Sequence, residues 1–338
     1  MDNYIRNGMI LMCTSLTYEN SQGDHFLSRT MDFAFELGGQ PIFMPRNQKI
    51  QGDAGAFTTK YGFVGAGRNL KHYIFVDGVN EFGLGAAALY FSEYAKYVKE
   101  AAADKLGIAP HDLVAWVLGN AKSVADLREL IQNVQLVDVP VSLLGLTTPL
   151  HFIFSDPTGE TTVLEATSDD LHLIDDPVGV MANSPQLSWH LQNLSTYGTL
   201  VASQRPLHNY EGFELATQGP GTGALGMPGD YTSPSRFVRT VFNKHYSEPA
   251  ADTPTTLNLL QHLMDSVTIP KGVKLKDDGA SDYTQYRGYM ALDDRAYYME
   301  PYDNQELQGV KMTDKMLNEW DTPVEYPLDH QVHINQLN

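Results

Sequence analysis

Cysteine is nearly absent: Cys13 is the sole thiol in 338 residues. A single sulfur excludes a disulfide framework and a multi-cysteine metal cluster, and leaves that thiol for packing or for chemistry. It also fits a reducing cytoplasm. Basic residues are scarce as well, with 23 Lys and Arg against 41 Asp and Glu for a net charge of −18. Such a surface repels phosphate backbones, so nucleic acid is not an expected partner. No apolar run approaches the roughly 18 residues that a membrane span needs, and no membrane partner is expected. The opening MDNYIRNGMILM carries only Arg6 as a basic side chain, before a short apolar patch with no A-x-A pattern after it. A secretory signal is therefore not expected, and the chain reads as cytoplasmic. The motifs H-E-x-x-H and G-x-S-x-G are missing too, which removes the usual signatures of zinc proteases and serine hydrolases.

What is present is ample apolar material, 42% of residues, enough for a sizeable core. Met9 to Tyr18 is β-rich, turns through NSQGD and resumes as HFLSRTMDF, the pattern of a hairpin. Cys13 lies on its first strand, with Arg29 and Asp32 toward the far end of its second. A strand is expected at Tyr61–Gly65, and the segment 72–91 divides at Asn80 to Gly83 into two more. Helical spacing follows Pro110 and Ser123, then strand signals return at LHFIFSD, ETTVLEAT, LHLIDD and GVMANS. Residues 191–230, rich in Gly, Pro, Ser and Asn, form a long irregular excursion that suits an interface or a lid. Helical patterns at SRFVRTVFNKHY and after Pro254 precede a last pair of strands in DYTQYRGYMALDDRAYYMEPYDN. Without a linker or repeat, this is one α+β domain.

Two motifs fail on context. GTGALG, from Gly221 to Gly226, has the G-x-G-x-x-G spacing but follows a loop and runs into MPGDYTSP, not from a strand into a helix. The carboxylates near Asp277 and Asp293 lack the alternating ligands of a calcium loop and read as solvated turns. No metal or cofactor is expected. Cys13, taken alone, is more often a small buried hydrophobe than a nucleophile, and Arg29 with Asp32 could be an exposed ion pair of little consequence.

The joint pattern is more specific. C-T-S-L at Cys13, followed by Arg29 and Asp32 in SRTMDF, resembles the start of the choloylglycine hydrolase family, which holds penicillin V acylases and bile salt hydrolases. DGVNEFGLGAAALYF, VMANSP, GALGMPGDYTSPSRFVR and VTIPKGV resemble that family's later blocks in the same order. The resemblance implies an N-terminal-nucleophile hydrolase with a four-layer αββα sandwich of two antiparallel sheets. It implies that residues 1–12 are absent from the mature enzyme, leaving 13–338 as the working domain with Cys13 first. The loss could come from translation starting at Met12 or from autoprocessing of a longer precursor.

The chemistry explains the position. An internal cysteine has an amide nitrogen, which is no base, whereas a free α-amine titrates at about 7.7–8.0 and can take the thiol proton. The resemblance gives Asp32 the task of orienting that amine and Arg29 that of favouring thiolate. It likewise gives Arg236 the anchoring of the surrounding polar network, and it makes Asn183, otherwise a plausible turn residue before Pro185, one oxyanion donor and the backbone N–H of Tyr90 the other. Tyrosine at 90 and Trp189 point toward the penicillin V acylase branch, where bile salt hydrolases usually carry asparagine at the first of these places. Met31, Phe63 and Leu144, with Trp189, are candidates for the acyl pocket, although residues such as the first three are more often core than pocket. The expected substrate is a small N-acyl amide, cleaved through a thioester. Penicillin V is preferred, and conjugated bile salts releasing glycine or taurine are the alternative. A binding or structural protein with an internal, buried Cys13 is the non-enzymatic alternative. The resemblance further implies a homotetramer, with 191–230 as its candidate interface.

Overall fold

In the computed structural model, the described residues are 12–216 and 218–338. The expected loss of residues 1–12 concerns a segment of which all but Met12 lies outside them.

The hairpin lies where the sequence reading places it, and both of its strands are buried along their length except at the turn. Met12–Glu19 pairs antiparallel with His25–Phe33, with Cys13 opposite Met31 and Ser15 opposite Arg29. His25–Phe33 then pairs with Tyr283–Ala291, and Met12–Glu19 with the short Val180–Met181. Ala296–Pro301 and Gln308–Lys311 complete a six-stranded antiparallel sheet. A second, nine-stranded sheet is also antiparallel throughout, built around Gln40–Met44, Phe63–Asn69, Asp77–Asn80, Gly85–Tyr90 and Leu150–Ser155. Residues 72–91 hold three strands instead of two, because Tyr73–Phe75 forms its own short pairing.

The two sheets stack face to face, through Leu27, Val79, Leu89, Ile153 and Tyr297 among others. Helices Ser233–Tyr246 and Thr253–Asp265 cover the outside of the first sheet. Leu113–Asn120 and Val124–Leu130 cover the second, over a separate apolar layer that includes Phe63, Phe75, Trp116, Phe152 and Phe154. This is the four-layer αββα sandwich. Its helix starts follow the sequence signals: the Ser123 hydroxyl accepts from the Asp126 N–H, and Asp252 with Thr255 forms a capping box before Pro254.

One glycine contact sets up the site. A Cβ on Gly65 would fall 2.1 Å from the Asp77 carbonyl oxygen, so only glycine lets these neighbouring strands close where Asp77 enters the core. Residues 191–230 begin inside a helix, Leu187–Leu194, and then run mostly without regular structure. GTGALG contains only a short 3₁₀ turn, Thr222–Ala224, preceded by Gly221 at φ 93°. It lacks the strand-to-helix setting of a dinucleotide fingerprint.

Candidate active site

The hairpin delivers Cys13 and Arg29 to the space between the sheets. The Arg29 Nη2 donates to Cys13 Sγ at 3.0 Å, and its Nε holds the Thr30 carbonyl. On the far side, Nη1 pairs with Asp77 Oδ2 at 2.8 Å, and the Tyr286 hydroxyl donates to the same oxygen at 2.8 Å. Arg29 and Asp77 are both 0% exposed. The cation therefore stays charged in a dry interior because a carboxylate neutralises it, and its direction is fixed from both ends.

Arg236 comes from the outer helix. Its Nη1 donates to the Cys13 carbonyl at 2.6 Å and to the Thr14 hydroxyl, and its Nη2 donates to Asn183 Oδ1 at 2.8 Å. The backbone nitrogen of Cys13 donates to that same Oδ1 at 2.6 Å. Both acceptor positions on Asn183 Oδ1 are thus used, which orients its amide group unambiguously. Its Nδ2 donates to the Tyr90 carbonyl at 2.8 Å and keeps a second hydrogen. Asp32 sits beside this network without touching the Cys13 nitrogen. Its oxygens accept from Thr284 at 2.6 Å and from Thr30 at 3.2 Å.

Burial dominates the electrostatics. It pushes the Cys13 thiol up, against the opposing pull of Arg29. Burial likewise lifts Asp32 to about 6, with Arg236 and the Thr284 hydrogen bond pulling the other way. The Arg29 cation alone thus does not make a thiolate of Cys13 at neutral pH.

Tyr90 reaches the site by backbone register. It lies opposite Leu150, and the Phe91 N–H donates to Pro149 at 2.8 Å, so the Tyr90 N–H faces away from that neighbouring strand. It points to the side on which the Tyr90 carbonyl receives Asn183. The Tyr90 N–H and carbonyl thus share the side of the strand that Asn183 approaches. Asn183 is itself clamped through its carbonyl, which accepts from Ser233 Oγ at 2.8 Å and lies 2.9 Å from His190 Nε2. Burial holds His190 down at about 4, so it is neutral at pH 7 and uses an N–H for this contact.

A mostly apolar cleft opens onto Cys13 and Arg29. Met31, Phe33, Leu144, Leu150 and the Tyr90 ring line its inner part, and Arg68 and His111 lie farther along the wall. Met31 and Leu144 are therefore where a pocket role requires them. Phe63 is not. It is 0% exposed and packs edge-on against Phe75 at 4.8 Å, on the face of the second sheet under Leu113–Asn120. Trp189 is also outside the cleft, 42% exposed on its helix with an edge contact to His190. Helical periodicity turned His190 inward and Trp189 out.

Sequence reasoning missed Asp77, Tyr286, His190 and Ser233. Asp77 carried the best signal, a carboxylate directly after the apolar YIFV and at the start of a strand. No sequence spacing announced a second cluster, Asp53, His72 and His111, whose possible ligand atoms come within 4.8 Å of one another. Among the described residues, no helix is long and apolar enough to cross a membrane.

The family model for linear amide C–N hydrolases of the choloylglycine hydrolase family matches residues 13–325. A bile salt hydrolase/transferase of Clostridium perfringens (strain 13 / Type A) is 35% identical, over 97% of this chain and 100% of that protein. A solved structure of a mutant conjugated bile acid hydrolase from Clostridium perfringens superposes with a TM-score of 0.89 at 33% identity, covering 96% of this chain and 100% of that one. A penicillin V acylase of Pectobacterium atrosepticum is 25% identical, over 86% of this chain and 78% of that protein.

Proposed function

Because the chain belongs to the linear amide hydrolases of the choloylglycine hydrolase family, we propose that it cleaves conjugated bile salts, releasing glycine or taurine. The observation that carries this choice is the 35% identity across whole chains to a bile salt hydrolase/transferase, against 25% to a penicillin V acylase over a smaller share of both proteins. The cleft agrees, since apolar walls suit a steroid-sized acyl group. The sequence-based preference for penicillin V gives way to its alternative. Of the two features that favoured the acylase reading, Tyr90 lines the cleft and Trp189 lies outside it.

The reaction follows from the geometry once residue 13 is the first residue, which requires loss of residues 1–12. The freed α-amine takes the Cys13 proton, and Arg29 stabilises the resulting thiolate. Sulfur attacks the scissile carbonyl, and the oxyanion is received by the second Asn183 Nδ2 hydrogen and the Tyr90 N–H. The ammonium then gives its proton to the leaving nitrogen, the C–N bond breaks and the amino acid departs. Water, deprotonated by the same amine, attacks the thioester, and the bile acid leaves as Cys13 is regenerated. Arg236 holds the carbonyl end of residue 13 by a hydrogen bond, and Asp32, beside the amine without touching it, favours the ammonium by charge. The homotetramer is part of the same reading: the loop 191–230 carries exposed Tyr210 and Phe213, which a partner subunit would cover.

The test compares kcat/KM for glycocholate and penicillin V on one preparation whose mature N-terminus has been fixed by intact mass. Bile salt cleavage is expected to be faster, and faster phenoxyacetate release would restore the acylase reading. A purified chain that retains Met1 and cleaves neither substrate would remove the enzyme reading altogether.

A further inference from the structure

Three separate loops meet at the outer wall of the cleft. Asp53 comes from the turn between Lys49–Gln51 and Ala56–Thr58, His72 from the turn before Tyr73–Phe75, and His111 with Asp112 from the entry to the first helix. Their contacts are paired. His72 Nε2 lies 2.6 Å from Asp112 Oδ1, and His111 Nε2 lies 2.9 Å from Asp53 Oδ2. The Asp53 N–H donates to Asp112 Oδ2 at 3.0 Å, which ties the first loop to the third. A Cβ on Gly52 would fall 2.6 Å from that same Oδ2, so the backbone presses on the cluster with no side chain between.

The second ring nitrogens are not accounted for. His72 Nδ1 and His111 Nδ1 are both buried and have no hydrogen-bond partner among the described residues. The side chains themselves are 8% and 5% exposed. Buried imidazole nitrogens without partners are costly to maintain. For His72, one ring nitrogen on Asp112 with the other uncommitted is how metal-binding histidines are usually held.

We infer that Asp53, His72 and His111 form a divalent-metal site suited to Zn²⁺, with Asp112 orienting His72. Each of the three offers one ligand atom, and these atoms lie within 4.8 Å of one another. Two imidazoles and a carboxylate are borderline ligands that suit Zn²⁺ better than Mg²⁺ or Ca²⁺, which prefer oxygen alone. Small movements of the three loops bring them to bonding distance, and a water completes the tetrahedron. The site is separate from Cys13, although His111 lines the same cleft. Its effect is to bind three loops together, making the cleft wall around His111 and Pro110 stiffer in the loaded protein.

The experiment uses the untagged Cys13→Ala chain, so that the thiol cannot supply a ligand. Calorimetric titration with ZnCl₂ is expected to show one strong site per chain, and Co²⁺ in its place is expected to give the visible absorption of a four-coordinate site. Asp112→Asn weakens Zn²⁺ binding ~10–100-fold. The His72→Gln/His111→Gln pair abolishes the strong site and the Co²⁺ spectrum while leaving the circular dichroism intact. If that pair does not fold, Asp53→Asn, whose side chain is 15% exposed, decides instead by weakening binding at least tenfold. Absence of binding in the Cys13→Ala chain overturns the inference. So does undiminished binding in these variants, which would assign the metal to the exposed His330 and His333 pairs.

Discussion

Asp77→Asn separates the role of the buried ion pair from that of the thiol it serves. Asparagine keeps the size of the side chain and its contact with the Ala66 N–H, but removes the charge that faces Arg29 at 2.8 Å. At an effective dielectric of about 20, the lost attraction is ~6 kcal/mol before solvation is counted. Part of it returns through the amide dipole and local rearrangement, and removing one partner of a buried pair costs about 3–5 kcal/mol in practice. Against a typical folding stability of ~5–15 kcal/mol, the variant should fold yet unfold at much lower urea, with an unchanged m-value. Arg29 also loses the anchor that aims its Nη2 at Sγ, so kcat should fall by roughly tenfold or more, equivalent to ~1.4 kcal/mol of barrier. The double variant Arg29→Met/Asp77→Leu supplies the control. Without a stranded charge it should be more stable than Asp77→Asn alone while remaining inactive. A single variant within about 1 kcal/mol of the parent refutes the argument, as does a double variant no more stable than the single.

Asp32 predicts opposite pH trends for activity and stability. Its value of about 6 lies above the ordinary 3.8, so the folded chain holds a proton that the unfolded chain has released between those values. Its contribution to stability therefore falls as pH rises through 6, whereas the ionised form that supports the amine appears over the same interval, and kcat should rise. Asp32→Asn should abolish the acid limb of the kcat profile; an unchanged limb would assign it to another group. Phe63→Ala should cost ~3–5 kcal/mol of stability with KM unchanged, as a core residue does, and Leu144→Ala should raise KM with a smaller loss of stability. The reverse pattern, measured by steady-state kinetics and urea unfolding, would return Phe63 to the cleft.

The hairpin was legible because two β-rich segments around a Gly-containing turn are a local property, and the capped helices were legible for the same reason. Pairing between distant segments was not. Nothing near Val180 or Tyr283 indicates that they flank the hairpin, so the layered architecture rested on the family resemblance. Phe63 shows a related limit. Strand alternation separates two faces, and both faces of this strand are buried, so the sequence cannot distinguish the helix-covered side from the cleft side. Asp53, His72 and His111 are brought together by loops closing over one another, and no short spacing records such an arrangement.

The proposed mechanism makes the nitrogen of residue 13 the base, and the geometry around it supports that reading. Burial raises the thiol, so a base is needed at neutral pH. Asp32 is the carboxylate beside it, but its oxygens are engaged by Thr284 and Thr30, and a backbone hydrogen bond is what it offers the sulfur. Arg29 and Arg236 are cations, and Asn183 is not basic. The Cys13 nitrogen already lies 2.6 Å from Asn183 Oδ1, an acceptor that would hold an amine as well as it holds an amide. Cleavage before residue 13 would therefore change the chemistry of one atom without moving it: an N–H donor with no usable lone pair becomes a base, already oriented, two bonds from the carbon that bears the sulfur.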